Sequence, residues 1–340
     1  MALEAPAPAP GARPPQPGRR KAPGPPDKVA DASPMAETGD VVKATRVVSA
    51  DISVAKRLAE IWRSRELLIY LVRTEIKVKY KNSFLGLLWS MLSPAMTLVV
   101  YTVVFSVFLK NGIPNFVIFL FSGLLLWNFF STAVQTATGV VVNNAGLVKK
   151  VSFPREILAL AAVGSAAVFM FFQICVMGIF MAALQVTPAW DLMYLLLVAL
   201  IPTVVFASAL AIFLASVNVY MRDTQHLVEV IVGAAWFWAC PIVYSYQNTV
   251  APHLKAHHLT WLYFLNPMTP LVMTYQRVLY NQPGLVKLTT KPPTTAHILP
   301  PWPASTYVWA DAIVLGVAVV MFYVAMVVFG RLAGNFAEEL

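Results

Sequence analysis

Charge is scarce in this sequence. Asp, Glu, Lys and Arg make up 12% of its 340 residues, about half of the ~25% usual in soluble domains. Hydrophobic residues reach 58%, above the ~45–50% of such domains, so the composition excludes an ordinary soluble enzyme and indicates a polytopic membrane protein. Cysteine is nearly absent. Cys175 and Cys240 both fall inside apolar runs and read as buried thiols, which leaves no disulfide framework and no thiolate metal site. Phosphate-binding and hydrolytic signatures are missing as well: no G-x-x-x-x-G-K-S/T, H-E-x-x-H or G-x-S-x-G occurs. The chain therefore carries no mark of a P-loop ATPase, a zinc peptidase or a serine hydrolase. His253, His257 and His258 cluster in one connection and read as a wet loop rather than a metal site. Carboxylates are missing from the middle of the apolar runs too. Asp191 and Asp311 stand at run ends and Glu229 lies two residues into one, where helix-end solvation accounts for them, and this argues against ion-driven transport.

What is present is long apolar sequence. A membrane helix needs about 20 mostly apolar residues, and six runs qualify: 85–109, 116–142, 157–184, 191–217, 227–247 and 308–330. Fifteen of the 25 Lys and Arg precede residue 85, which makes the net charge of +9 a cytoplasmic flank rather than a groove for nucleic acid. Lys149, Lys150 and Arg155 in the 143–156 connection give the same vote, against a lone Lys110 in 110–115 and no basic residue in 185–190. Both termini are thus expected inside. Residues 1–45 hold ten prolines by position 40 and predict a disordered tail. Residues 46–84 form a basic interfacial region, 85–330 the six-helix domain and 331–340 a short cytoplasmic end. The small residues of "LALAAVGSAA" in the third run predict close helix approach.

Three stretches depart from plain spans. Over 58–82 the spacing of Ile61, Leu68, Val72, Ile76 and Tyr80 predicts one amphipathic helix, with Glu66, Arg73, Lys77 and Lys81 opposite. Glu75 and Lys79 interrupt its apolar side. A basic amphipathic helix before a span is expected in the interface plane. Next, "GLVKKVSFPREIL" at 146–158 puts a charged elbow between two apolar runs. A helix stopped by Pro154, with Val148, Val151 and Phe153 exposed beside the lysines, suits a docking knob for a soluble motor. Finally, the 248–307 loop has a centre too apolar for a solvated loop, yet Asn266, Pro267 and Pro270 break it. It reads as two short helices dipping part-way into the outer leaflet, where irregular backbone must be shielded by protein or a water-filled cavity. Trp89, Tyr101, Trp127, Phe129, Phe130, Trp236, Trp238 and Tyr244 suit interfacial belts and core packing, or a passage lined with rings over which sugar faces slide.

"KVKYKNSFLGLLWSMLSPAM" (77–96), "NNAGLVKKVSFPREIL" (143–158), "YMRDTQHLVEVI" (220–231) with "WFWACPIVY" (236–244), and "LNPMTPLVMTYQRVLY" (265–280) together resemble the membrane subunits of ABC-2-type exporters of lipid-linked polysaccharide, O-antigen and teichoic acid. The order covers about 58–330; the Pro-rich tail and the loop around 281–305 are unmatched. The resemblance implies an all-α homodimer of six-span subunits in a bacterial cytoplasmic membrane, working with two copies of a separate ATPase that binds ATP and Mg, with no cofactor on this chain. It implies a coupling helix at 146–156, comprising Leu147, Val148, Lys149, Lys150, Val151, Phe153, Pro154, Arg155 and Glu156. It implies a gate helix where the pyrophosphate of a polyprenyl-linked glycan arrives, with Arg73, Lys77, Lys79 and Lys81 as its cations. Trp89, Tyr101, Trp127, Phe130, Trp236, Trp238 and Tyr244 become the passage candidates, and Asn266, Pro267, Pro270 and Arg277 the outer gate. A membrane glycosyl- or acyltransferase is the rival from another class, but the paired carboxylates or histidine base that it needs are not offered. A drug or small-lipid exporter of the same architecture is the other rival.

Overall fold

The computed structural model describes residues 53–79, 89–108, 112–281, 285–287 and 295–340. The expected Pro-rich tail at 1–45, Lys81 and the first residues of the 85–109 run lie outside these described residues.

The basic segment forms two helices instead of one, α1 (Val54–Arg63) and α2 (Arg65–Lys79). Ser64 leaves helical geometry at φ −92° and ψ 20°, and its N–H still donates to the Glu60 and Ile61 carbonyls. The break lets the two halves serve different neighbours: α1 reaches the end of the last helix, whereas α2 lies along α6. Of the apolar stripe, Ile61 is buried and Leu68, Val72 and Ile76 are half-buried, while Tyr80 lies outside the described residues. Next come α3 (Trp89–Thr102), which runs into a π-helical turn at Val103–Phe108, and α4 (Phe116–Asn143). The elbow helix α5 (Ala145–Lys150) follows, then α6 (Glu156–Ala183) and α7 (Tyr194–Tyr220). α8 (Thr224–Val230) continues through a π turn at Ile231–Trp236. Three short helices, α9 (Ala251–Ala256), α10 (Thr260–Phe264) and α11 (Met268–Leu279), precede α12 (Ala304–Leu332) and the terminal α13 (Phe336–Glu339).

Four of these, α4, α6, α7 and α12, are long and apolar enough to cross a membrane among the described residues. The other two expected runs are not among these four. Among the described residues, the apolar part of the α3 segment is Leu92–Phe105, fewer than the ~20 residues a crossing needs. The 227–247 run is broken: its helix ends before Cys240, and Pro241–Tyr244 turn. The all-α expectation also has one exception, a two-stranded antiparallel hairpin of β1 (Leu285–Lys287) and β2 (Thr295–His297) with Val286 opposite Ala296.

A helix that is apolar all round is buried in a core or bathed in lipid, and this chain contains both kinds. The apolar window of α4 is 78% buried, packed by α6, α7, α8 and α11, whereas that of α12 is 28% buried and leaves Trp309, Ile313, Val320 and Tyr323 exposed. Cys240 is buried as expected, but Cys175 is exposed on α6. Asp311 also departs from expectation. α12 starts four residues earlier than the apolar run, so Asp311 lies two turns inside it and is fully buried, accepting from Thr274 Oγ1 at 3.2 and 3.0 Å. Asp191 and Glu229 are exposed, in line with solvated helix ends.

Candidate functional site

The elbow shows how the chain sorts one charged stretch into two faces. α5 ends at Lys150, four residues before Pro154, because Val151 is extended at φ −123° and ψ 137°. Lys149, Lys150, Val151 and Ser152 are exposed, whereas Val148 is buried and Leu147 and Phe153 pack against the core. Val148 and Phe153, expected at the tip, therefore anchor the elbow instead, and Val151 alone of the three apolar residues projects. Pro154 is half-buried.

Arg155 and Glu156 turn inward. Glu156 Oε1 accepts from Arg57 Nη1 at 2.6 Å, with the two side chains 5% and 14% exposed. Arg57 Nη2 also donates to the Gly330 carbonyl at 3.4 Å. A Cβ at Gly330 would stand 2.5 Å from that guanidinium, so only glycine allows the approach. Arg155 donates to the Ala333 carbonyl and lies 5.6 Å over the Phe336 ring. Tyr220 at the end of α7 donates to the Leu332 carbonyl at 2.9 Å. α1, the elbow, the end of α7 and the end of α12 thus form one charged node. Arg57 carried no signal in the sequence, since its partners lie 99 and 273 positions away.

α2 lies against α6 at Gly164, where a Cβ would be 2.8 Å from Val72 Cγ2; the small-residue stretch of the third run delivers its close approach here. The docking distinguishes the three expected cations that are described, all of them exposed. Arg73 and Lys77 are exposed one turn apart. Lys79 instead places its Nζ 4.3 Å from the centroid of the Phe169 ring. Glu75 faces α6 with it. Burial raises the Glu75 carboxyl above its ordinary range, opposed by a Ser165 hydrogen bond and the Lys79 charge.

At the far end of the bundle, Asn266 joins three segments. Its Oδ1 accepts from Trp236 Nε1 at 2.9 Å and from the Met268 N–H at 3.1 Å, while its Nδ2 donates to Cys240 Sγ at 3.3 Å. Pro267 and Pro270 stand at the start of α11, where a missing N–H costs nothing. All of α11 except Arg277 is buried, and Arg277 Nη1 has no hydrogen-bond partner among the described residues. Ala189 N–H donates to the Val278 carbonyl, Tyr280 to Pro114 and Asn281 to Thr187, so the two poorly basic connections gather here.

Five of the aromatic candidates, Tyr101, Trp127, Phe130, Trp236 and Trp238, join in one ring cluster. Tyr101 stacks on Phe237 at 6.2 Å, and Phe237 meets Trp127 at 5.8 Å and Trp238 at 5.4 Å. Phe130 stacks on Phe206 and meets Trp236 edge-on at 5.2 Å. Trp127 and Phe130 are buried within the subunit, Tyr101, Trp236 and Tyr244 are half-buried, and Trp89 and Trp238 are exposed. Phe237, the hub, was not singled out in the sequence, although it lies between two of the tryptophans that were.

The family described as ABC-2 type transporter matches residues 66–280. The chain is 34% identical over 222 residues to a protein from Myxococcus xanthus named O-antigen export system permease protein RfbA, covering 65% of this chain and 83% of that one. It is similar to two Klebsiella pneumoniae proteins of the same name, at 26% and 24% identity over 216 residues, covering 64% of this chain and 81% of each. The match takes in α2, α4, the elbow, the broken α8 segment and α11, and its extent over more than half of a chain rich in apolar helices makes this multi-pass membrane protein a member of the ABC-2 type transporter family.

Proposed function

We propose that this chain is the permease subunit of an ATP-driven exporter of lipid-linked, O-antigen-type polysaccharide in a bacterial cytoplasmic membrane. The observation that carries this reading is the similarity over more than four-fifths of three relatives named as O-antigen export permeases. ATP hydrolysis belongs to a separate nucleotide-binding subunit, and two permease chains pair around the passage. The subunit crosses six times, with α3 and the broken α8 segment completing the four long helices, and both termini are cytoplasmic. α2 lies in the interface and α10–α11 form a re-entrant gate on the outer side.

The exposed Lys149, Lys150 and Val151 are the tip that meets the motor, and the inward Arg155 and Glu156 carry its movement to α1 and α12. Arg73 and Lys77, exposed on α2, receive the pyrophosphate of a polyprenyl-linked glycan through charge-assisted hydrogen bonds. The glycan passes the exposed rings Trp89 and Trp238 and the accessible edges of Tyr101 and Tyr244, while Trp127 and Phe130 brace that wall from within the subunit.

Replacing Lys149, Lys150 and Val151 together with alanine tests the reading, because these side chains support nothing inside the subunit. The chain should insert normally, while co-purification of the ATPase subunit and polysaccharide exported per cell fall at least tenfold. Undiminished assembly and export would remove the elbow from the mechanism. Wild-type chain that neither pairs with an ATPase nor moves polysaccharide would remove the function itself.

A further inference from the structure

A partly enclosed cavity of about 430 Å³ lies where α2 crosses α4 and α6. It is within the ~300–1,000 Å³ range of small-molecule sites and far larger than one water, whose share of liquid volume is ~30 Å³. Polar side chains line it from all three helices and the turn after α4: Thr74, Glu75 and Lys79 from α2, Thr132, Thr136 and Asn143 from α4 with Asn144 after it, and Ser165 from α6. Its apolar lining includes Leu158, Ala161 and Phe169. The two residues that spoil the amphipathic pattern of α2, Glu75 and Lys79, both line this cavity. α2 nevertheless packs closely on α6 at Gly164, where a Cβ would stand 2.8 Å from Val72 Cγ2.

The lining chemistry narrows the ligand. A carboxylate acceptor, four hydroxyls of Thr and Ser and two carboxamides, set around apolar atoms, match a molecule with many hydroxyl groups on a carbon ring. An anion fits poorly, because Glu75 would oppose it and the Lys79 ammonium is already placed over Phe169. An acyl chain fits poorly as well, because it would strip water from these polar groups without replacing their hydrogen bonds.

We propose that this cavity binds one neutral sugar ring of the glycan-lipid, resting on the export reading above. The arrangement divides recognition between the two sides of α2. Arg73 and Lys77 on the exposed face bind the charged linkage, while Glu75 and its neighbours read the first sugar. A lipid pyrophosphate without a sugar would then engage only the first set.

The test uses the permease–ATPase complex in nanodiscs and two probes, a polyprenyl pyrophosphate bearing one hexose or N-acetylhexosamine and the same lipid without the sugar. Glu75→Gln should weaken binding of the sugar-bearing lipid about tenfold or more, as expected for loss of a hydrogen bond to a charged acceptor. Its affinity for the sugar-free lipid should stay within about twofold of wild type, a binding difference below the ~1.4 kcal/mol of a tenfold change. Thr136→Val, of equal size, should give a smaller loss with the same selectivity, and Arg73→Ala should weaken both lipids. Equal weakening of both lipids by Glu75→Gln, or no weakening of either, overturns the sugar site and leaves the export reading standing. A wild-type complex that binds neither probe overturns both.

Discussion

The two ends of the bundle are tied together by different chemistry. At the elbow end, guanidinium groups make most of the long-range links, Arg57 to Glu156 and Gly330 and Arg155 to Ala333, beside the neutral Tyr220–Leu332 bond. At the far end, mostly neutral groups do so. Gln276 donates to Pro241, Tyr280 to Pro114 and Trp236 to Asn266, with Asp311 the buried exception. A charge link is strong only while both partners are present, since either one left alone in a buried site is uncompensated. A neutral bond forfeits less when broken. The elbow end is therefore brittle and directional, and the far end is graded. Under the proposed function, in which the elbow is pushed by the ATPase, movement of α5 would reach Arg155 and Glu156, and through them α1 and α12, before the hydrogen bonds around α11.

The sharpest way to break this contrast is at Glu156. Glu156→Ala leaves the Arg57 guanidinium buried and unpaired, and should destabilise the subunit by about 3–5 kcal/mol. Replacing both partners with apolar residues of similar size, Arg57→Met with Glu156→Leu, should recover most of that loss, because the pair's own desolvation cost disappears with it. Unfolding in detergent micelles measures both. A double variant as unstable as Glu156→Ala would mean that the node is held by shape rather than by charge.

The matching change at the far end is Gln276→Leu. Gln276 Nε2 is the donor to the Pro241 carbonyl at 2.7 Å, and the amide packs 3.2 Å from where a Cβ on Gly123 would be. Leucine keeps the volume and strands a buried carbonyl, so the expected loss is about 1–3 kcal/mol, smaller than at Glu156. Equal losses at the two positions would erase the distinction between the ends.

How far the sequence showed all this follows the same division. The ends of α4 and α6 are within a residue of the expected runs at 116–142 and 157–184, because a continuous apolar run is a local signal. The break at Pro241 was not legible. A proline inside an apolar run is tolerated in many membrane helices, and the donor that stabilises the break here lies 35 residues away. The elbow was located by its charge, yet the inward turn of Arg155 and Glu156 depends on Arg57 and Ala333, which no local pattern points to. Asp311 was read as solvated because the hydropathy of α12 rises only after it, whereas the helix begins at Ala304 and Thr274 of α11 covers the carboxylate. Glu75 and Lys79 were visible as faults in a pattern, and their meaning required α4 and α6 to be in place.

The smallest effect is expected at Trp236, and it sharpens the comparison from the neutral side. The indole Nε1–H donates to Asn266 Oδ1 at 2.9 Å, and the ring meets Phe130 at 5.2 Å and Phe206 at 6.1 Å, both edge-on. Trp236→Phe removes the donor and part of the ring while keeping an aromatic face against both partners. Asn266 Oδ1 is not orphaned by the change, because it still accepts from the Met268 N–H at 3.1 Å, and Nδ2 still donates to Cys240. No buried group is left without a partner, so the loss should be that of one net hydrogen bond, about 0.5–1.5 kcal/mol. This differs in kind from Glu156→Ala, where the remaining partner is a largely buried cation left with the Gly330 carbonyl at 3.4 Å in place of a carboxylate. Unfolding of the purified variant in micelles measures the difference. A loss as large as that of Gln276→Leu would mean that Asn266 depends on the indole to hold the start of α11, and that the far end is as tightly coupled as the elbow.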